Sequence, residues 1–322
     1  LASCNTQNSA STFGRWKNNM VMVSDDEDGG TYFLHTEQVA SRIKNDYPWM
    51  NINKVHSDAY VQESTPGGER FYGVYNELKN KVQEGVIGVN YIGHGGEVGW
   101  ATERILDIPM INGWSNATHL PFFMTATCEF SRFDDPDRTS AGELLILNKD
   151  GGAIAMFTTW RLVYAGPNLT MNKKFYDTVF KRDAYGKGQT FGSIYVGTKN
   201  AYASVGGSEN GRKFGLLGDP ALQLALPEYT IITDKINDSL IGSSSLDTLN
   251  ALGKVKIDGH IEDWSGSLLN SFNGVVYLTV YDKPQEFQTL ANNASSGTYS
   301  FSEQNSTIYS GKSTVTNGKF SF

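Results

Sequence analysis

The 322-residue sequence predicts an α/β protein, a mostly parallel sheet flanked by helices, followed by a β-sandwich. Two observations predict the first part. Short apolar runs alternate with helical patterns through residue 227. Those runs are largely continuous instead of alternating, which marks strands buried on both faces of a parallel sheet. A third observation predicts the sandwich: after Pro227 helical patterns stop, and Ser, Thr, Asn and Gly become frequent. The domains expected are therefore residues 1–227 and 228–322.

Met20–Ser24 (MVMVS) reads as the first buried strand, and the acidic run DDEDGG follows it at once. Val39, Ala40, Ile43 and Tyr47 recur at helical spacing over Thr36–Tyr47, and Pro48 stops that helix. Ile52–Val55 is the next strand candidate. Phe71, Val74, Tyr75, Leu78 and Val82 share one face of a helix over Glu69–Glu84, closed by Gly85. The strand Val86–Ile92 leads to His94, after which the chain reads as loop until Pro121. Phe122–Thr127 is a strand that leads to Cys128. Ser140 and Glu143 form an S-x-x-E capping box ahead of a leucine-rich helix. Ala153–Thr158 is a further strand. Asn168 is the expected cap of a helix carrying Phe175, Tyr176, Val179 and Phe180. Phe191–Tyr202 reads as a helix, and Phe214–Leu217, a Gly218-Asp219-Pro220 turn and Leu222–Leu226 close the domain. Beyond it, Lys254–Glu262, Val275–Asp282, Thr307–Ser310 and Lys319–Phe322 read as strands, the second with period-2 faces.

Composition narrows the function classes. Apolar residues at 39% and charged residues at 19% describe a folded chain, neither disordered nor fibrous. A net charge of −7 without a Lys/Arg cluster argues against nucleic acid or an anionic membrane as partner. No apolar run approaches the length of a bilayer span. The sequence starts at Leu1 without an initiator Met and stops at the strand-like GKFSF, so it reads as a piece of a longer protein. Two cysteines, Cys4 and Cys128, are no disulfide framework, although one bridge between them is conceivable, and metal spacing such as CxxC is absent.

In open α/β sheets ligands bind outside the carboxyl ends of the strands. DDEDGG, His94 and Cys128 each follow such an end, so all three can meet at one edge. His94 is flanked by Gly93, Gly95 and Gly96, which lets the backbone approach a ligand closely. The plainer reading is an exposed strand-to-loop turn for His94 and an inert buried thiol for Cys128. His35 and His56 read as partly exposed structural residues. No Ser has Gly at both −2 and +2, so a serine esterase elbow is missing, and so is H-E-x-x-H. The remaining chemistry is a Cys/His pair. Cys128 would attack a peptide carbonyl, His94 would protonate the leaving amine, and backbone N–H groups near Gly95 and Cys128 would hold the oxyanion. Among Asp25, Asp26, Glu27 and Asp28, one acid would orient His94; calcium binding or a solvated turn are the alternatives. Asp134, Asp135 and Asp137 read as a solvated acidic loop, with calcium or a basic substrate group as alternatives.

YIGHGGEVGWA followed by FFMTATCEFSRFDDP, with FGLLGDPALQLALP after them, resembles the gingipain family of caspase-like cysteine peptidases. The resemblance implies a caspase-like sheet followed by an immunoglobulin-like domain. It also implies Cys128 as nucleophile, His94 as its partner and Gly95 as an oxyanion donor, with Asp26 or its neighbour Asp25 as the acid. Trp160 sits where a pocket wall is expected, a core aromatic being the other reading, and Glu129 joins it as a substrate contact. VMVSDDEDG, HTEQVA and LTVYDKP look most like the family's cell-surface sortase of the type IX secretion system. That would remove the C-terminal signal domain of secreted cargo and join the new carboxyl end to an amine on anionic lipopolysaccharide. The implied partners are cargo signal domains, that lipopolysaccharide and other attachment-complex proteins, and the implied location is the outer face of a bacterial outer membrane. No cofactor is required, and a structural calcium stays open. A secreted endopeptidase that only hydrolyses, or a non-catalytic caspase-like scaffold, are the competing readings.

Overall fold

In the strand β1 (Asn19–Ser24), Met20 and Met22 enter one core, Val21 and Val23 the other, and all four are fully buried. This double burial is why the run has no polar alternation. The computed structural model describes residues 12, 14–242 and 253–322. Cys4, and with it a Cys4–Cys128 bridge, lies outside them, and Cys128 is a free thiol. The chain divides into two units: Leu1–Arg182, Gly188–Leu226 and Glu286–Glu303 make the first, and Asp183–Lys187, Pro227–Gln285 and Gln304–Phe322 the second.

The first unit is built on a six-stranded sheet. Its further strands are β2 (Asn51–His56), β3 (Gly88–Ile92), β4 (Phe122–Ala126), β5 (Ala155–Thr159) and β6 (Phe214–Gly218), in the order β6-β5-β4-β3-β1-β2. Every pairing is parallel except β5 with β6. The helices α1 (Thr31–Asp46), α2 (Tyr72–Glu84), α3 (Ile108–Gly113), α4 (Ala141–Leu147), α5 (Ala165–Tyr176) and α6 (Phe191–Ser204) cover it. One core joins the sheet to α1, α5 and α6 through Val39, Ile43, Met171, Phe175 and Ile194. The other joins it to α2, α3 and α4 through Val74, Leu78, Met110 and Leu145.

Several elements differ from expectation. Helix α1 begins five residues early, because the buried Tyr32 and Phe33 extend its apolar face. Helix α2 begins at Tyr72, since Glu63–Thr65 and Gly68–Arg70 form a hairpin ahead of it. Residues 95–113 are not a plain loop: Gly95–Gly96, Gly99–Trp100 and Leu106–Asp107 form a small sheet, and α3 follows. The fully buried Trp100, stacked on Tyr91 at 4.2 Å, pins that excursion to the core. The Ser140/Glu143 capping box is present at α4. Asn168 caps nothing; it lies inside α5, donating to Ala126 O and accepting from Asn210 Nδ2.

In the second unit, Thr230–Ile236, Ser239–Leu240, Ile257–Glu262 and Lys319–Ser321 form one sheet, and Gly274–Tyr281 pairs with Thr307–Val315. Val276 is buried between exposed Val275 and Tyr277, the period-2 pattern of a one-faced strand. Ile261, Val315 and Phe320 complete its small core. Glu286–Glu303 belongs with the first unit although the strands on either side of it belong to the second.

The sheet–helix layer around Phe122 makes a direct test. This ring is buried and lies 5.6 Å from Phe175 and 6.1 Å from Phe180. Phe122→Ala should cost about 3–5 kcal/mol, read as a lower urea midpoint at constant m. A cost below about 1 kcal/mol would mean that the layer closes without the ring.

Candidate active site

The sheet register brings the reactive residues together. Ser24 lies opposite Ile92 and Ile92 opposite Ala126, so the carboxyl ends of β1, β3 and β4 are level. Asp25 follows the first of these ends, and His94 and Cys128 stand two residues beyond the other two. Glycines make the approach close. A Cβ on Gly93 would lie 2.5 Å from Asp25 Cβ, and one on Gly95 would lie 2.7 Å from Thr127 Oγ1. Any larger residue at either position would push the His94 turn off its neighbours.

His94 is held from both ends. Its main-chain N–H donates to Asp25 Oδ2 at 2.8 Å, and its carbonyl accepts from Tyr91 Oη at 2.6 Å and from the Ala101 N–H at 2.9 Å. Its half-exposed ring presents Nε2 to Tyr32 Oη at 3.3 Å, Glu27 Oε2 at 3.4 Å and Asp28 Oδ2 at 3.3 Å. With Nε2 engaged by acids, Nδ1 is the nitrogen left for chemistry. Tyr32 was not anticipated from the sequence; only its position just after Gly29-Gly30 marks it. Burial, then a bond to Asp28 and the charges of Asp28, Asp25 and Cys128, raise its pKa well above the ordinary value, so it stays a phenol.

The acids divide the work differently from the sequence expectation. Asp26 was the first choice to orient His94, yet neither of its carboxylate oxygens has a hydrogen-bond partner among the described residues. Asp25 grips the main chain of His94 and does not grip the ring. Glu27 and Asp28 are the acids at the ring. Burial, countered by the bond from the His94 amide, raises the Asp25 pKa to about 7. Burial and the adjacent Asp25 push Asp26 up as well.

Cys128 is partly buried and its sulfur exchanges contacts with Val163, accepting from the N–H at 3.5 Å and facing the carbonyl at 3.6 Å. Glu129, the next residue, has φ 49°, the left-handed region that costs a non-glycine residue about 1–2 kcal/mol. Its N–H donates to Arg161 O at 3.4 Å. Trp160 is half-buried and meets the exposed Phe133 edge-on at 5.5 Å. Leu162 and Tyr164, the chain neighbours of Val163, are exposed. Arg161 is tied to Asp134 by two bonds, and Asp135 accepts from the Asp137 N–H. His94 also lines a cleft of about 630 Å³, with Glu27, Gly95, Trp100, Arg104 and Asp107 among the other walls. No helix among the described residues is long and apolar enough to cross a membrane.

The model of peptidase family C25 matches residues 3–225. No curated protein matches the chain. Among solved structures, gingipain R, an Arg-specific cysteine proteinase, is similar at TM-score 0.56 and 15% identity over 99% of this chain and 63% of its own. The chain thus spans less than two thirds of that protein. The complex of the RgpB pro- and mature domains from Porphyromonas gingivalis is similar at TM-score 0.55 and 14% identity, over 96% of this chain and 62% of its own. Dimeric latent PorU from Porphyromonas gingivalis aligns at TM-score 0.30 and 14% identity, over 95% of this chain and 39% of its own, too loosely to carry an argument. The first two likenesses establish a gingipain-like α/β fold.

A second histidine chain mimics a catalytic one. Ser24 Oγ lies 2.8 Å from His56 Nδ1, and His56 Nε2 lies 3.1 Å from Glu37 Oε1. Ser24 and His56 are fully buried, so this chain is structural, and His56 is not the partly exposed residue expected. Burial holds its pKa below the ordinary 6.5, against the pull of Glu37. Above about pH 6.5 the ring is neutral folded and unfolded; below it only the unfolded chain takes up the proton. Stability should therefore fall as pH drops from about 6.5 towards the lower native pKa, by about 1.4 kcal/mol per unit of depression. Urea unfolding at about pH 7.5 and about pH 5.5 should show a larger loss for the wild type than for His56→Gln. Equal losses would assign the pH dependence to other groups.

Proposed function

The chain belongs to peptidase family C25, the gingipain family of cysteine peptidases, and from that premise we propose that it is a cell-surface sortase of the PorU kind. In this reading it removes the C-terminal signal domain of type IX secretion cargo and transfers the new carboxyl end to an amine on anionic lipopolysaccharide. The single observation that carries the chemistry is the pairing of level strand ends, with His94 two residues past β3 and Cys128 two past β4. The sortase specialisation is supported by the VMVSDDEDG, HTEQVA and LTVYDKP resemblance.

The mechanism assigns each group one task. Cys128 gives its proton to His94 Nδ1 and attacks the scissile carbonyl. The Val163 N–H, 3.5 Å from Sγ, favours the thiolate. Backbone N–H groups at Gly95 and Cys128 receive the oxyanion. Glu27, Asp28 and the Tyr32 phenol hold Nε2, which orients the imidazole and stabilises its charged form. His94 then protonates the departing amine, leaving a thioester on Cys128. An acceptor amine attacks that thioester to form the new amide, and His94 takes its proton. Trp160, with the exposed Phe133, Leu162 and Tyr164, receives apolar side chains of the substrate, and Glu129 contacts it beside the nucleophile. The strands after Pro227 form an immunoglobulin-like domain in this reading. The acting protein sits on the outer face of the outer membrane with other attachment-complex proteins.

The assay is a peptide spanning a cargo signal-domain junction, incubated with the protein with and without a small amine and read by mass spectrometry. Amide product that grows with the amine supports transfer. Acid product alone at every amine concentration overturns it in favour of a hydrolytic gingipain-like endopeptidase. Cys128→Ala and His94→Ala should each lower turnover by at least about 10³-fold. The double variant Glu27→Gln, Asp28→Asn should lower it by about 10²-fold, chiefly in kcat. Wild-type protein that neither turns over nor labels at Cys128 with a thiol-directed peptide probe would leave the non-catalytic scaffold.

A further inference from the structure

Beside the His94 turn, three buried carboxylates face one another. Asp25, Asp26 and Glu103 each offer an oxygen, and these oxygens all lie within 4.8 Å of one another. The three residues are 1%, 2% and 4% exposed, so water cannot screen them. Their partners leave much of this acceptor capacity unused. Asp25 accepts from the His94 N–H at 2.8 Å and the Asp26 N–H at 3.0 Å. Glu103 Oε1 takes a 3.4 Å bond from Gln62 Nε2, and its charge is eased by Arg70 at longer range. Glu103 Oε2 and both oxygens of Asp26 are buried without a well-formed hydrogen bond among the described residues.

Buried carboxylates with unused lone pairs are costly unless something positive satisfies them. No Lys, Arg or His side chain makes an ion pair with any of the three among the described residues. Three oxygens around one ion at about 2.4 Å stand no more than about 4.8 Å apart, which suits the 2.3–2.6 Å bonds of calcium. The donors are all hard oxygens, the set calcium prefers, and main-chain carbonyls or water can complete a coordination of six to eight. Magnesium, with bonds of about 2.1 Å and strict octahedral demands, fits such a splayed trio less well.

We propose that Asp25, Asp26 and Glu103 form a calcium site that ties the end of β1 to the excursion following His94. Asp25 is the shared member. The carboxylate that binds the ion also holds the His94 main chain, so the ion braces the histidine turn while Glu27 and Asp28 remain free to meet the ring. Glu103 anchors the far side, three residues past Trp100. The binding does not depend on the peptidase reading and is measured in the Cys128→Ala protein, which separates failure of the one from failure of the other.

The protein is stripped with chelator and titrated with calcium by calorimetry, with thermal unfolding followed in parallel. The expected result is one calcium per chain at millimolar or tighter affinity, and a higher Tm with calcium than with chelator. Asp26→Asn and Glu103→Gln should each weaken binding at least about tenfold. Because each replaces a buried acid that repels its neighbours when ionised, both should be at least as stable as the parent in chelator at about pH 8.5. Asp134→Asn, in a surface ion pair, should bind like the parent. Absence of calcium binding by the parent protein would overturn the site, as would unchanged affinity in both trio variants. Equal affinity for magnesium would overturn the choice of ion. If the trio variants fail to fold, a parent stoichiometry below one calcium still overturns it.

Discussion

One bond organises the strand ends: the buried Asp25 carboxylate takes the main-chain N–H of His94. The ladder between β1 and β3 ends at Ser24 and Ile92, and beyond it the chains diverge into loops. The Asp25 bond holds the divergence to a fixed width, and Gly93 permits it because no Cβ stands between the two loops. The position of His94 follows, and with it the geometry offered to Cys128 on the next strand. Burial makes the bond both strong and demanding. A carboxylate in low dielectric is a good acceptor for an amide and a costly charge to keep.

Strain and satisfaction are unevenly spread around this bond. The helices bury apolar faces, a capping box starts α4, and the central strands are mostly apolar on both sides, with Asn90, Thr125 and Thr158 as buried polar members. At the strand ends Glu129 is left-handed, Thr127 Oγ1 is buried without a hydrogen-bond partner among the described residues and three acids crowd together, while Asn90, Asn172 and Thr198 carry buried atoms in the same condition elsewhere.

The sheet was legible because burial on both faces keeps the strands largely apolar, so MVMVS and PFFMTA stand out although each holds one buried hydroxyl residue, Ser24 and Thr125. His94 and Cys128 were legible because they end such runs and one of them sits among glycines. The acid at the ring was not legible. Asp25, Asp26, Glu27 and Asp28 are adjacent, and which of them faces inward depends on how a loop turns after the strand. Glu103 carried no signal, being one of 34 acids with no neighbour of special type. Residues 95–113 hid their strands because pieces of two residues have no period to detect. Asn168 looked like a cap because the same side chain that caps a helix end can also bridge α5 to a strand carbonyl.

The stretch Glu286–Glu303 packs with the catalytic unit, where Ser296 Oγ donates to Asp26 O at 3.0 Å and Tyr299 Oη to Gly29 O at 2.8 Å. Asn292 fastens the same stretch by donating to the Asp58 carboxylate and to Tyr60 O. These bonds flank the loop that carries Glu27 and Asp28. They cannot exist until the chain has been made through Tyr299, long after Cys128 and His94 have left the ribosome. The order of synthesis therefore delays the finished loop, and a nick anywhere in this stretch would unbuckle it without touching a reacting atom.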